Sequence, residues 1–279
     1  MKHHHVGIQR PSRPGASVPV GRGMKRLRPA AALFAAVLLA ACASAPERNP
    51  VARWEGSPNH SPRWARAIVL HHTAMDSAQG AIRTLQTGNS GGPVSAHYLI
   101  GDDGVIHQLV ADGEAAWHAG NSRWAGVDEL NAWSIGIELD NDGREPFAPA
   151  QVDALLVLLE ELTVRLRIPR HMVLGHSDIA PTRKDDPSVH FPWKVLADAG
   201  FGLWPREPLR PAPPGFDAWV AMRLVGYDLR DPEAALAAFH RRFRGNEARH
   251  WLPGDAEILF DLQQQLLALP AQAPAPPAH

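Results

Sequence analysis

Apolar residues recur along this chain in two rhythms, one suited to strands and one to helices. Ala67-Ile68-Val69-Leu70 is an unbroken β-rich run closed by His71-His72-Thr73, which predicts a buried strand with polar groups at its end. His97-Tyr98-Leu99-Ile100 and Val105-Ile106-His107-Gln108-Leu109 flank Gly101-Asp102-Asp103-Gly104, a hairpin pattern because Asp-Gly tolerates the turn dihedrals. Trp133 to Leu139 alternates enough to predict another strand, and Met172-Val173-Leu174 a short one. The helical rhythm follows Asp76, where Ile82 and Leu85 share a face. It returns from Pro149, where Val152, Leu155, Leu156, Leu159, Leu162 and Leu166 recur behind a first-turn proline. Strands and helices interleave, which predicts an α/β domain with a mixed central β-sheet flanked by helices.

Past Trp204 the pattern changes. Pro205, Pro208, Pro211, Pro213 and Pro214 predict a stiff linker over 205–215. Three short helical patterns follow over 216–269. In one of them Asp231-Pro232-Glu233 reads as a capped helix start, Leu236, Phe239 and Phe243 share a face, and Gly245 ends the run. Behind Gly254-Asp255, the residues Ile258, Leu259, Leu262 and Leu266 form another amphipathic face. The expected organisation is a main domain over 54–204, a small three-helix domain over 216–269 and a disordered Pro/Ala-rich tail over 270–279.

The other end follows neither rhythm. A basic start, Met24-Lys25-Arg26-Leu27-Arg28, leads into an apolar stretch that closes on Leu39-Ala40-Ala41-Cys42. That stretch is shorter than the about 20 residues needed to span a bilayer. Charged start, short apolar core and small closing residues describe an export signal over 24–42. Its ending resembles the lipobox of bacterial lipoproteins, which implies lipidation at Cys42, with 43–53 as a tether. Ala43, in place of aspartate, resembles the outer-membrane sorting signal of enteric bacteria, so the expected location is the periplasmic face of the outer membrane. Residues 1–23, rich in Gly, Pro and Arg, carry no such pattern, and translation is expected to begin at Met24.

Composition narrows the chemistry. Cys42 is the single cysteine, so no intramolecular disulfide forms, and acylation leaves no thiol for catalysis or metal binding. With 28 basic and 29 acidic residues the net charge is −1, which excludes a general electrostatic grip on nucleic acid. No oligomerisation signal stands out, so a monomer is expected.

Three segments place ionisable groups at or beyond an apolar run: the strand ending at His71-His72; Ser134-Ile135-Gly136-Ile137-Glu138-Leu139; and Gly175-His176-Ser177-Asp178 through Arg183-Lys184-Asp185-Asp186-Pro187. Polar groups at strand ends converge on a sheet rim, where α/β folds bind ligands. Two histidines and a carboxylate there match the three-ligand habit of catalytic zinc. Pattern alone leaves this open, because the histidines are distant in sequence and no His-Glu-x-x-His motif is present. Lys184 and Asp185 also read as a solvated loop pair, and Trp117 and His118 as either core packing or the lining of a cleft.

Taken in order with Ser95-Ala96-His97-Tyr98 and Ala116-Trp117-His118-Ala119-Gly120, these segments resemble the zinc-dependent N-acetylmuramoyl-L-alanine amidases of the type 2 amidase family, in particular its outer-membrane lipoprotein members. The likeness runs from about Ser57 to Trp193. A weaker likeness to a peptidoglycan-binding domain covers about Phe216 to Leu269. The resemblance implies Zn2+ held by His71, His176 and Asp186, with Glu138 as the catalytic glutamate and Lys184 as the basic residue beside the metal. It favours His71 over His72 because the ligand directly follows the apolar strand, and Asp186 over Asp185 by its place after Lys184. Glu138 would exchange protons with water and the leaving amine, and Lys184 would offset charge on the carbonyl oxygen. Trp117 and His118 would line the substrate cleft. The implied partner is peptidoglycan or its muropeptides. A recognition module that binds the same material without cutting it is the rival reading.

Overall fold

In the computed structural model, residues 48–62 and 65–270 are described. The export signal, Cys42, the chain before it, residues 43–47 of the tether and the tail from 271 lie outside the described residues. Among those described, no helix is long and apolar enough to cross a membrane.

Among the described residues ten strands are present: Arg53–Trp54 (β1), His60–Pro62 (β2), Ala67–His72 (β3), Tyr98–Ile100 (β4), Ile106–Gln108 (β5), Glu114–Ala116 (β6), Arg123–Trp124 (β7), Val127–Asp128 (β8), Ser134–Leu139 (β9) and Val173–Gly175 (β10). Six of them form one sheet in the order β1-β5-β4-β9-β3-β10. Every pairing in it is parallel except the β4–β5 hairpin, so the sheet is mixed as expected. The small ribbons β2–β6 and β7–β8 go beyond the sequence pattern, since strands of two or three residues carry no readable alternation.

The α-helices among the described residues are Ala78–Thr87 (α1), Pro149–Arg165 (α2), His176–Ile179 (α3), Trp193–Asp198 (α4), Ala218–Val225 (α5), Pro232–Arg244 (α6) and Asp255–Leu267 (α7). Local chemistry sets several of their ends. Ser77 caps α1, Pro149 opens α2, and Asp231 caps α6, where Gly245 in the left-handed region (φ 64°) stops it. The four-residue α3 and six-residue α4 are too short to show a helical period.

Alternation along β3 divides the core. Ile68 and Leu70 join Ile135, Ile137 and the α2 leucines 155, 158, 159 and 162 on one face of the sheet. Ala67 and Val69 join Leu174, Ile179 and the C-terminal residues Met222, Tyr227, Phe239 and Leu259 on the other. The three C-terminal helices thus share a core with the sheet. Odd-numbered β3 positions lead to His71, which carries that second face to the sheet rim.

Candidate active site

The rim chemistry follows from strand register. Parallel β3 and β9 set His71 directly beside Glu138. Parallel β10 and β3 pair Gly175 with Leu70, so His176, the next residue, comes alongside His71. A loop after α3 returns Asp186 to the same point, held by the Ser177 N–H donating to the Asp186 carbonyl at 2.7 Å. His71, His176 and Asp186 are all buried. Their Nδ1, Nδ1 and Oδ2 atoms form a triangle with sides of 2.8, 3.0 and 3.0 Å.

His72 stays out of this triangle, its Nδ1 accepting the Ser188 N–H at 3.2 Å. Asp185 is exposed, whereas Asp186 is buried. Lys184 reaches the site from its edge, with Nζ 4.0 Å from Asp186 Oδ1. Glu138 faces the same cavity, and its Oε2 is buried without a hydrogen-bond partner. Trp117 and His118 complete part of the wall of this cavity, whose volume is about 220 Å³.

Burial dominates the electrostatics. It lowers the His71 pKa to about 4, assisted by the neighbouring His176. It raises that of Glu138 to about 8, with Asp186 adding to the rise and Lys184 opposing it. Against the same upward push of burial, His176 and His71 hold Asp186 well below the usual carboxylate range.

The donor set suits a small divalent cation. His176 Nε2 lies 3.2 Å from the Ala119 carbonyl and 3.4 Å from Arg183 Nη2, which itself donates to that carbonyl. The nearer, acceptor-only carbonyl favours a proton on Nε2, which leaves Nδ1 its lone pair. Two imidazole nitrogens and an anionic oxygen about 3 Å apart repel one another unless a cation sits among them. Ligands of a metal with bonds of about 2.0–2.2 Å approach one another on that scale. Among the described residues, His71, His176 and Asp186 are the one group assembled in this way.

Sequence reasoning passed over the residues that support the site. Asn131 Oδ1 accepts the backbone N–H groups of His118 and Ala119 at 3.0 and 2.7 Å. Gly136 leaves room for the His118 ring, which a Cβ there would approach within 2.4 Å. Glycine inside the apolar run Ser134–Leu139 was a usable signal, because it marks close approach of another group to a strand. Asn131 offered none.

Comparison with known proteins agrees with this geometry. The family described as N-acetylmuramoyl-L-alanine amidase matches residues 61–189. The N-acetylmuramoyl-L-alanine amidase AmiD of Escherichia coli is 41% identical over 194 residues, covering 61% of this chain and 67% of that protein. The 1,6-anhydro-N-acetylmuramyl-L-alanine amidase AmpD of Haemophilus influenzae is 40% identical over 102 residues, 36% of this chain and 55% of AmpD. Among solved structures, AmpDh3 of Pseudomonas aeruginosa superposes with a TM-score of 0.67 at 32% identity, covering 81% of this chain and 98% of AmpDh3. E. coli AmiD, in complex with the substrate anhydro-N-acetylmuramic acid-L-Ala-D-gamma-Glu-L-Lys, superposes with a TM-score of 0.63 at 31% identity, covering 78% and 93%.

Proposed function

Since this chain belongs to the N-acetylmuramoyl-L-alanine amidase family, we propose that it hydrolyses the amide between N-acetylmuramic acid and L-alanine in peptidoglycan or its fragments, using zinc. The observation that carries the reading is the buried His71–His176–Asp186 triangle with the unpartnered Glu138 oxygen one strand away.

His71 Nδ1, His176 Nδ1 and an Asp186 oxygen would hold the metal. Bound there, zinc supplies the Lewis acidity that activates water near neutral pH and polarises an otherwise poor electrophile. Glu138 takes a proton from the attacking water and returns it to the departing L-alanine nitrogen. A carboxylate with a raised pKa suits both halves of that exchange. Lys184 brings a positive charge toward the oxygen on which negative charge grows. Trp117 and His118, on the cavity wall, contact the muropeptide.

The lipid anchor at Cys42 and the outer-membrane location belong to the same proposal and rest on the sequence of 24–43; the monomeric state belongs to it as the default for a sequence in which no oligomerisation signal stands out. A wall-binding role for 216–269, whose helices pack against the sheet, belongs to it as well and rests on the likeness of that segment to a peptidoglycan-binding domain.

Incubating the purified protein with a muramyl peptide that begins in L-alanine, with mass spectrometry of the products, tests the reaction. The expected result is free peptide plus intact sugar, lost on chelation and regained with zinc. Glu138→Ala should lower the rate by about 10²–10⁴-fold with folding preserved. Tight binding without cleavage under every metal condition would leave a recognition module instead.

A further inference from the structure

His71 uses only one of its ring nitrogens in the triangle with His176 and Asp186. The other, Nε2, lies 3.0 Å from Nδ1 of His118. Two nitrogens at that separation share one proton, and which ring owns it decides whether His71 can present a bare Nδ1 to a metal.

The answer is fixed three groups away. The Ser134 hydroxyl lies 2.7 Å from the Leu130 carbonyl and 3.3 Å from His118 Nε2. A hydroxyl has one proton, and the shorter contact, to a group that can only accept, takes it. Ser134 Oγ therefore accepts from His118 Nε2–H. A neutral His118 then has no proton on Nδ1, which accepts from His71 Nε2–H, and His71 is left with a lone pair on Nδ1. His176 reaches the same tautomer directly through the Ala119 carbonyl.

We infer that His118 and Ser134 are positioning residues that pass the polarity of the Leu130 carbonyl to His71, fixing its tautomer and ring orientation for metal binding. This role goes beyond the lining of the cavity by His118 and rests on the reading of His71 as a metal ligand. The surroundings are built for it. Asn131 holds the His118 backbone, and Gly136 provides the space in which the ring lies against β9. Outer partners of this kind typically change metal affinity by about 10–100-fold when removed.

Zinc affinity of the full chain, measured by competition with a chromophoric chelator, tests this apart from catalysis. His118→Phe keeps an aromatic ring over Gly136 but has no acceptor, and should weaken zinc binding by about 10–100-fold. His118→Asn places an oxygen near the position of Nδ1 and should recover much of that loss. Nitrogen-15 spectra of the zinc-loaded wild-type protein report the tautomers with no variant needed: His118 and His71 should both be protonated at Nε2. Equal zinc affinity in wild type and His118→Phe, or a His118 protonated at Nδ1, would overturn the inference while leaving the metal reading intact. A wild-type chain that binds no zinc would remove both.

Discussion

Glu138 is a carboxylate set among apolar strand residues, with one oxygen that no group among the described residues satisfies. The residue is half-buried, and leaving its buried oxygen charged costs stability when no cation is present. Its ordinary value is 4.5 and burial raises it to about 8, so the folded chain holds this proton more tightly than the unfolded one. The stability it contributes is complete below about pH 4.5, declines as pH rises, and is lost above about 8. In chelator-treated protein, Glu138→Gln should therefore melt with the wild type near pH 4 and several degrees above it at pH 8.5. Superimposable melting temperatures at both values would mean that water reaches the carboxylate freely. The same scale separates His71 from His72 and Asp186 from Asp185. Each pair is chemically equal in the sequence, and only the side on which the backbone presents them puts one member into the buried triangle and leaves the other out of it.

At the scale of elements, the short helix α3 cannot hold itself in place, since four residues complete barely one turn. Asp178 does so from inside it. Its Oδ2 accepts the Gly175 N–H at 2.8 Å and Arg242 Nη1–H at 2.6 Å, and its Oδ1 accepts the Tyr227 hydroxyl at 2.8 Å. Arg242 comes from α6, and its guanidinium also lies over the Trp193 ring at 4.1 Å. Because the side chains of Asp178 and Arg242 are 1% and 5% exposed, removing one partner strands a charge. Arg242→Met should cost about 3–5 kcal/mol in urea unfolding, and adding Asp178→Asn should return part of it. A loss below about 1 kcal/mol would show that the pair is not holding α3. His176 opens that helix, so the C-terminal helices reach the site through this contact.

Across the whole molecule, the sheet buries both faces, one under α2 and the other partly under α5, α6 and α7. A Pro-rich stretch followed by amphipathic helices suggests a module that could be removed, yet Val69, Leu174 and Ile179 share one apolar cluster with Met222, Phe239 and Leu259. Ending the chain at residue 215 would bare that face of the sheet. The expected result is an aggregating or loosely folded product, whereas the full chain unfolds in a single transition by circular dichroism and by tryptophan fluorescence. A soluble, cooperative and active truncated chain would mean that the helices are an independent appendage.

Much of this could be read from the residues in order. Alternation in β3 and β9, the Asp-Gly hairpin between β4 and β5, the leucine rhythm of α2 and the Asp231 cap of α6 are local properties, set by backbone geometry over a few neighbouring positions. The motifs that carry the family likeness are local in the same sense. What joins them is not local. That β9 lies between β4 and β3, that Gly175 pairs with Leu70, and that His71 thereby meets both Glu138 and His176 depend on contacts between distant segments. The line from the Leu130 carbonyl through Ser134 and His118 to His71 likewise exists only after β3 and β9 have paired and Asn131 has turned the His118 segment inward. Sequence periodicity determined which residues form strands and helices and which end at a rim. Tertiary structure decided which of those ends meet, because register between strands is chosen by the packing of both sheet faces together and no single segment encodes it.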